Sequence, residues 1–229
     1  MKRSEINTIL RSSDEFIRQR GLFLPPFAYW TPEEWSIKGP EVSEIVDNQL
    51  GWDITDFGQG DFRRTGLFLF TVRNGNPENW KTLKGKLYAE KLLIVDVDQI
   101  TPYHFHWNKM EDIINRGGGN LLIKLNNSTS DGKLDLDEQV SLSVDGVVRS
   151  FPASGTLRLT PGESVSLPQC CYHQFWAEGS RVLVGEVSMV NDDHTDNRFL
   201  EPVGRFPDID EDESPLYLLV NDYRHYYRG

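Results

Sequence analysis

The stretch HFHWNKMED, residues 104–112, places two of the chain's five histidines two positions apart, with a glutamate five positions after the second. Side chains two apart on a β-strand point to the same face, so His104 and His106 point together and the aromatic residues beside them point away. After a short turn, Glu111 can return beside the histidines. The spacing is compatible with a metal site, with two hydrogen-bonded core histidines, or with an accident of composition.

Short apolar runs, many alternating with period two, surround this stretch from about residue 52 onward and are separated by Gly, Pro, Asn or Asp. The Asp145–Gly146 pair in SVDGVV is typical of a two-residue hairpin turn. Three glycines, residues 117–119, are expected to form a tight corner. Many short strands at this spacing predict an all-β, antiparallel sandwich or barrel.

The first 51 residues have a helical pattern instead. Ser4 is predicted to cap a helix that ends at Gly21, and Thr31 to cap a short second helix with a glutamate three residues later. We therefore expect one structural domain overall, in which a helical arm (1–51) packs on a barrel with a C-terminal extension (52–229).

Charge and composition exclude several classes of partner. The net charge of −11 and the isoelectric point near 4.9 disfavour nucleic acid and anionic membranes as partners. Much of this charge lies in DIDEDE, residues 208–213, which is interpreted as a solvated loop or arm. The only cysteines are the neighbours Cys170 and Cys171, which form no disulfide framework suited to secretion. The N-terminal sequence has no apolar run typical of a signal peptide or membrane anchor, so a cytoplasmic location is expected.

A second stretch, PGESVSLPQCCYHQFWAEG (161–179), contains a third histidine. Together the two stretches resemble the signature motifs of the cupin superfamily. The matching positions are His104, His106, Glu111 and Gly118 in the first motif, and Gly162, Pro168 and His173 in the second. Asp98, Cys170 and Ala177 depart from the usual residues, at positions that are not metal ligands.

This resemblance implies an all-β cupin fold, a double-stranded β-helix or jelly-roll barrel, with an N-terminal helical segment. It also implies a metal ion bound by the four ligands His104, His106, Glu111 and His173. Three imidazoles and one carboxylate suit a divalent transition metal, of which Mn²⁺ is the first expectation and Co, Fe, Ni and Zn are alternatives.

Stretches along nearly the whole chain are similar to the D-lyxose ketol-isomerase family. They are GWDITDFG, GLFLFTVRNG, YAEKLLIV, MEDIINRGGG, GEVSMVNDDHTDNRFLEPVGRF and EDESPLYLL. The resemblance implies a metal-dependent isomerase that interconverts D-lyxose and D-xylulose by enediol proton transfer. D-Mannose and D-fructose are a further expected pair, since lyxose and mannose share the C2 configuration. The implied partner is a small-molecule sugar, and a homodimer is expected.

The catalytic base has two candidates. Glu186 lies in the apolar strand RVLVGEVSMV, where burial is expected to raise its pKa. Glu201 lies on an expected loop beyond the last barrel strand, from which a lid can close over a sugar. Lys109 is placed to stabilise negative charge on the substrate. Weaker candidates are Glu90, Lys91 and Arg205.

Two other classes of function use the same motifs. A cupin dioxygenase would bind Fe(II) through the same four ligands, and a non-catalytic sugar-binding cupin would need no base. A phosphosugar isomerase is disfavoured because no basic cluster stands out. His194 and His225 are interpreted as ordinary surface residues. The choice between proton transfer and hydride shift stays open.

Overall fold

The computed structural model describes residues 1–193, 195–205 and 207–229, so His194 lies outside the described residues. The α-helices are α1 Arg3–Gln19, α2 Pro32–Ser36, α3 Ser43–Asp47, α4 Asn79–Thr82 and α5 Tyr223–Tyr226, with 3₁₀ turns at Pro26–Tyr29, Pro40–Val42 and Val220–Asp222. The strands are β1 Gly51–Thr55, β2 Leu67–Arg73, β3 Tyr88–Val95, β4 His104–His106, β5 Glu111–Asn127, β6 Val140–Val144, β7 Val147–Phe151, β8 Thr156–Leu159, β9 Ser164–Leu167, β10 Cys171–Met189 and β11 Asn197–Phe199.

These strands pair in antiparallel fashion, as the alternating pattern predicted. The main path through the sheet is β1-β2-β3-β10-β5-β9-β6-β7, while β4 pairs with β10 and β11, and β8 with β5. The long strands β5 and β10 pair along most of their length and form the centre of the barrel. The short β4, which carries the two histidines, is therefore held between β10 and β11.

The glycines of β5 do not form the corner that the sequence predicted. The strand runs through residues 117–119, and its register with β10 shifts there. Gly118 has a φ of +110°, and a Cβ at this position would collide with the carbonyl oxygen of Arg181. Glycine thus allows a close approach of two backbones inside a continuous strand, rather than a chain reversal.

Two local predictions are confirmed. Asp145 and Gly146 both have positive φ, 51° and 81°, and connect β6 to β7 as a two-residue hairpin turn. Thr31 accepts a hydrogen bond from the backbone N–H of Glu34, and the Glu34 carboxylate accepts one from the backbone N–H of Thr31. This reciprocal pair starts the short α2.

The apolar side chains form two main layers on opposite faces of the sheet. Inside the barrel, buried aliphatic residues of β5, β6, β9 and β10 pack together. On the outer face, Ile6, Leu10 and Ile17 of α1 pack against Trp52 and Phe70 of the sheet. Each such fully buried side chain contributes about 1.5–3 kcal/mol to the free energy of folding. The three apolar residues of α1 therefore hold the helix against the outer face of the barrel.

The acidic side chains of the run 208–213 are exposed, as the interpretation as a solvated loop or arm expected, but the run also binds α1. Arg3 is buried and pairs with Asp222 at 2.9 Å and with Glu211 at 2.6 Å. Asp212 accepts hydrogen bonds from the backbone N–H of Ser4 at 2.9 Å and from its hydroxyl at 2.8 Å. Ser4 is not the N-cap: Lys2 occupies that position, so α1 begins two residues earlier than predicted. A carboxylate distant in sequence satisfies its first turn.

Replacing Asp222 by Asn is expected to lower the free energy of unfolding by about 3 kcal/mol, because it leaves the buried Arg3 charge only partly compensated. Urea denaturation monitored by circular dichroism measures this change. Asp208→Asn is the matched control: the residue is exposed, and its backbone carbonyl oxygen, which the substitution leaves in place, accepts a hydrogen bond from the N-terminal ammonium group. An equal loss in both variants would show that overall charge, rather than the Arg3 contact, is responsible.

Candidate active site

Four side chains from three strands converge at one end of the barrel. His104 and His106 lie on β4, Glu111 begins β5, and His173 lies on β10 directly opposite His104. Ring nitrogens of the three histidines lie within 4.8 Å of one another. Glu111 Oε1 lies 3.1 Å from His173 Nε2 and 3.5 Å from His106 Nε2. The structure thus brings together all four residues of the two motifs.

Backbone carbonyls fix two of the imidazole rings. His104 Nδ1 lies 2.9 Å from the Pro102 carbonyl oxygen, and His173 Nδ1 lies 3.0 Å from that of Cys171. A carbonyl only accepts, so Nδ1 carries the hydrogen in both rings and Nε2 presents a lone pair to the cluster. Burial and the neighbouring rings hold the pKa of His104 well below its ordinary value, and burial and Lys109 lower the pKa of His106.

This donor set fits a divalent metal ion. Neutral imidazole nitrogens and an ionised carboxylate oxygen are the forms that ligate metals. The Nε2 lone pairs of His104 and His173 and the Glu111 oxygen Oε1 lie close together and repel one another, and a cation between them removes that repulsion. The hydrogen bonds from Nδ1 to backbone carbonyls are the usual outer support of metal-binding histidines.

Lys109 lies beside this cluster and contacts two carboxylates. Its Nζ is 2.7 Å from Glu111 Oε2 and 2.8 Å from Glu186 Oε1, and its side chain is buried. Burial opposes the charge of Lys109, but Glu111 and Glu186 raise its pKa above the ordinary value. Lys109 is therefore a permanently charged ammonium group, placed next to the histidine cluster as the sequence predicted.

The two oxygens of Glu111 have different neighbours. Oε1 faces His106 and His173, whereas Oε2 binds the ammonium group of Lys109. Burial opposes ionisation, but the ammonium charge of Lys109 outweighs it and holds the pKa of Glu111 well below its usual range. One oxygen is thus held in place by Lys109 while the other points at the histidines.

Glu186 lies on β10 with 4% of its surface exposed and lines the same cavity. Its Oε1 contacts Lys109, the Ser188 hydroxyl at 3.1 Å and Lys91 at 3.4 Å. Burial alone would raise the pKa of Glu186, as the sequence predicted. Lys109 and Lys91 outweigh burial and lower it, so the predicted direction of the shift is wrong.

Both charged and apolar side chains line the cavity beside the cluster. Its lining includes Thr55, Phe57, Leu67, Leu69, Lys91, Leu93, Thr101, Ile113, Phe175, Asp193, Asn197, Phe199 and Arg205. Glu201, the other candidate base, is exposed and lies outside this lining in the described part of the chain. Glu90 is half-buried and pairs with Arg73, also outside the lining.

Sequence reasoning missed several residues that organise the cavity. Asp196 accepts hydrogen bonds from the backbone N–H groups of Asn108 and Lys109, at 2.8 and 3.0 Å, and so fixes the turn between the histidines and Glu111. Asp53 and Asp193 both pair with Arg205, at 2.5 and 2.8 Å. The polar run NDDHTDN after β10 was the available signal, but partners this distant in sequence cannot be inferred from spacing.

The comparison that decides the family is the match of the D-lyxose isomerase family model to residues 1–223. The chain belongs to the D-lyxose isomerase family. A D-lyxose/D-mannose isomerase of Serratia proteamaculans is 48% identical over 227 residues, which cover 97% of this chain and 98% of that protein. A D-lyxose/D-mannose isomerase of Escherichia coli O157:H7 is 47% identical over 229 residues, 99% and 100% of the two chains.

Solved structures of similar shape include two L-ribose isomerases, each in complex with L-ribose. The Cellulomonas parahominis structure has a TM-score of 0.58 at 16% identity and covers 92% of this chain and 98% of its own. The Acinetobacter sp. DL28 structure has a TM-score of 0.58 at 13% identity, with 91% and 98% covered. These likenesses confirm the predicted cupin barrel with its N-terminal helical segment.

Membership of the D-lyxose isomerase family confirms the resemblance inferred from the sequence and makes the protein a sugar aldose–ketose isomerase. Among the described residues, no helix is both long and apolar enough to span a bilayer. Cys170 and Cys171 are both free thiols.

Proposed function

We propose that this member of the D-lyxose isomerase family interconverts D-lyxose with D-xylulose, and D-mannose with D-fructose, by moving a proton between C1 and C2 through an enediol. The observation that carries the proposal is that the histidine–glutamate cluster, Lys109 and Glu186 line one cavity. The two relatives named D-lyxose/D-mannose isomerase, at 47–48% identity over nearly the full length, support the choice of sugars.

The four clustered side chains are the proposed ligands of a divalent transition metal. His104, His106, His173 and Glu111 form a nitrogen-rich set with one hard oxygen, for which Mn²⁺ is the first proposal and Co, Fe, Ni and Zn are alternatives. When bound, such an ion supplies a Lewis acid that polarises the oxygens at C1 and C2 of the sugar.

Glu186 is the proposed general base. It is ionised at neutral pH because Lys109 and Lys91 lower its pKa, so it is ready to accept the proton from one carbon and return it to the other. Its contacts with Lys109, Ser188 and Lys91 all end on Oε1, which leaves Oε2 for the sugar. Glu201 is exposed and outside the cavity lining, so a change in the position of its loop would be needed before it reached a sugar.

Lys109 has two proposed roles in this reaction. Its fixed positive charge keeps Glu111 and Glu186 ionised in a buried site. The same charge stabilises the negative charge that develops on the sugar as the proton leaves. The apolar side chains of Phe57 and Phe199 line the same cavity and reduce the access of water to it. In a water-excluded site such an interaction is stronger than in solution.

We also propose a homodimer located in the cytoplasm. A second copy would cover apolar side chains that one copy exposes, such as Val147 and Val148 on the edge strand β7, which are 59% and 74% exposed. The two free thiols at positions 170 and 171 suit a reducing compartment.

An anaerobic sugar panel tests the proposal. Protein loaded with Mn²⁺ is expected to form ketose from D-lyxose and D-mannose without oxygen, whereas Mn²⁺ alone under the same conditions forms none. Oxygen consumption by the Fe(II)-loaded protein, with no ketose formed anaerobically, would favour the dioxygenase alternative. Saturable D-lyxose binding without turnover would favour the sugar-binding alternative.

A further inference from the structure

Asn197 occupies a distinctive position in the wall of the cavity. It begins β11, where it lies directly opposite His106 of β4 in the strand register. Asn197 also lines the cavity that contains the histidine cluster and Glu186. The residue is therefore close to the proposed reacting centre, although it belongs to neither motif.

The side-chain oxygen of Asn197 is buried and has no hydrogen-bond partner among residues 1–193, 195–205 and 207–229. Its amide nitrogen donates a long bond, 3.5 Å, to the carbonyl oxygen of Asp193. Exchanging the two side-chain atoms would place two oxygens against each other, so this contact favours the orientation in which Oδ1 faces the cavity as an acceptor. An acceptor buried without a partner costs free energy and is rare in native proteins.

The segment around Asn197 is anchored by contacts on both sides. On one side, Asp193 pairs with Arg205, which also pairs with the buried Asp53. On the other side, Asp196 accepts from the backbone of Asn108 and Lys109, and its own carbonyl accepts from the backbone N–H of Trp107 at 3.0 Å. A fixed acceptor of this kind is preorganised for a donor that arrives with the ligand.

A sugar supplies such donors. The carboxylates that line the cavity only accept hydrogen bonds when ionised, and Lys91 and Lys109 already bind carboxylate or amide oxygens. We propose that Asn197 Oδ1 accepts a hydrogen bond from a hydroxyl group at C3, C4 or C5 of the bound sugar, and so helps to determine which sugars are accepted. This inference rests on the proposed function, in which the C1 and C2 oxygens face the metal ligands.

The variant Asn197→Leu tests the role of the acceptor, since leucine has a similar size and no hydrogen-bonding atom. The expected result is a loss of about ten- to a hundredfold in kcat/KM for D-lyxose, mainly through KM, with unchanged metal content. Its melting temperature is expected to equal or exceed that of the wild type, because an unsatisfied buried oxygen has been removed. A purely structural role for Asn197 predicts a lower melting temperature instead.

Arg198→Leu is the matched control, because the next residue on β11 is exposed and points to the opposite face. It is expected to change kcat/KM by less than about threefold, as surface substitutions usually do. A loss as large as that of Asn197→Leu would show that β11 as a whole, and not the Asn197 oxygen, is responsible, and would overturn the proposal.

Deoxy sugars locate the hydroxyl group. Wild-type protein is compared with Asn197→Leu on D-lyxose and on its 3-deoxy, 4-deoxy and 5-deoxy analogues. For one analogue, the wild type should lose about ten- to a hundredfold relative to D-lyxose, and this discrimination should disappear in Asn197→Leu. Equal discrimination in both proteins for all three analogues would overturn the inference.

Calorimetric binding of D-lyxose is measured in parallel with turnover. If the wild type forms no ketose, the proposed function fails, and a tenfold weaker binding by Asn197→Leu would still support the hydroxyl contact. If the wild type turns over while the variant binds D-lyxose with equal affinity, the inference about Asn197 fails and the proposed function remains.

Discussion

Glu186→Gln is expected to lower kcat for D-lyxose by about 10²–10⁴-fold, while metal content and the affinity for D-lyxose change by less than about threefold. Glutamine keeps an oxygen that can accept from Lys109 and Ser188 but cannot take up a proton from carbon. The loss should therefore appear in kcat and not in binding. Steady-state kinetics with a coupled ketose assay, together with calorimetric binding of the sugar, separates the two.

Glu90→Gln provides the matched control for this experiment. Glu90 is the neighbour of Lys91 on β3 and pairs with Arg73 outside the cavity. The substitution is the same, glutamate to glutamine. It is expected to leave kcat within about twofold of the wild type.

Wild-type protein in D₂O should also introduce deuterium at C1 or C2 if the proton on Glu186 exchanges with solvent. Near-normal kcat in Glu186→Gln would remove Glu186 as the base and favour Glu201 or a hydride shift.

Removal of divalent metal with EDTA is expected to lower turnover by more than about 100-fold, and Mn²⁺ or Co²⁺ should restore it better than Mg²⁺. Three of the four proposed ligands are imidazole nitrogens, which suit these transition metals, whereas Mg²⁺ prefers oxygen ligands. Kinetic assays across a metal series measure the effect, and elemental analysis confirms that the apoprotein is metal-free.

Thermal unfolding gives a second measurement that does not depend on turnover. A metal that binds only the folded chain stabilises it by about 4 kcal/mol at a concentration 1,000 times its Kd. The melting temperature of the apoprotein should therefore rise on addition of Mn²⁺, and the rise should be much smaller in His173→Ala. Full activity of a protein shown to be metal-free would contradict the proposed metal site.

The sequence predicted those parts of the site that depend on local geometry. The two-residue spacing of His104 and His106 fixes a common face on a strand, and the short turn after them returns Glu111 to the same place. The capping box at Thr31 and the hairpin turn at Asp145 are equally local, since neighbouring residues make all the contacts. Such features need no knowledge of the rest of the fold.

Features that depend on distant pairings could not be predicted. The pKa of Glu186 is lowered because Lys109, 77 positions earlier in the chain, lies 2.8 Å away. The contacts of the exposed Asp212 and Glu211 with α1 could not be predicted, because their partners are more than 200 positions away. The glycines of β5 indicated only that the backbone there needs conformational freedom. The close approach of the Arg181 carbonyl oxygen to Gly118 explains why.

The position of Lys109 between Glu111 and Glu186 limits which residues of the enzyme can change when its sugar preference changes. One ammonium group neutralises both a proposed metal ligand and the proposed base, so substitutions there alter affinity for the ion and proton transfer together. Asn197 and Phe199 of β11 line the same cavity and are neither proposed metal ligands nor proposed bases. New sugar preferences are thus accessible to evolution or design through these two positions of β11, with the proposed metal ligands, Lys109 and Glu186 left unchanged.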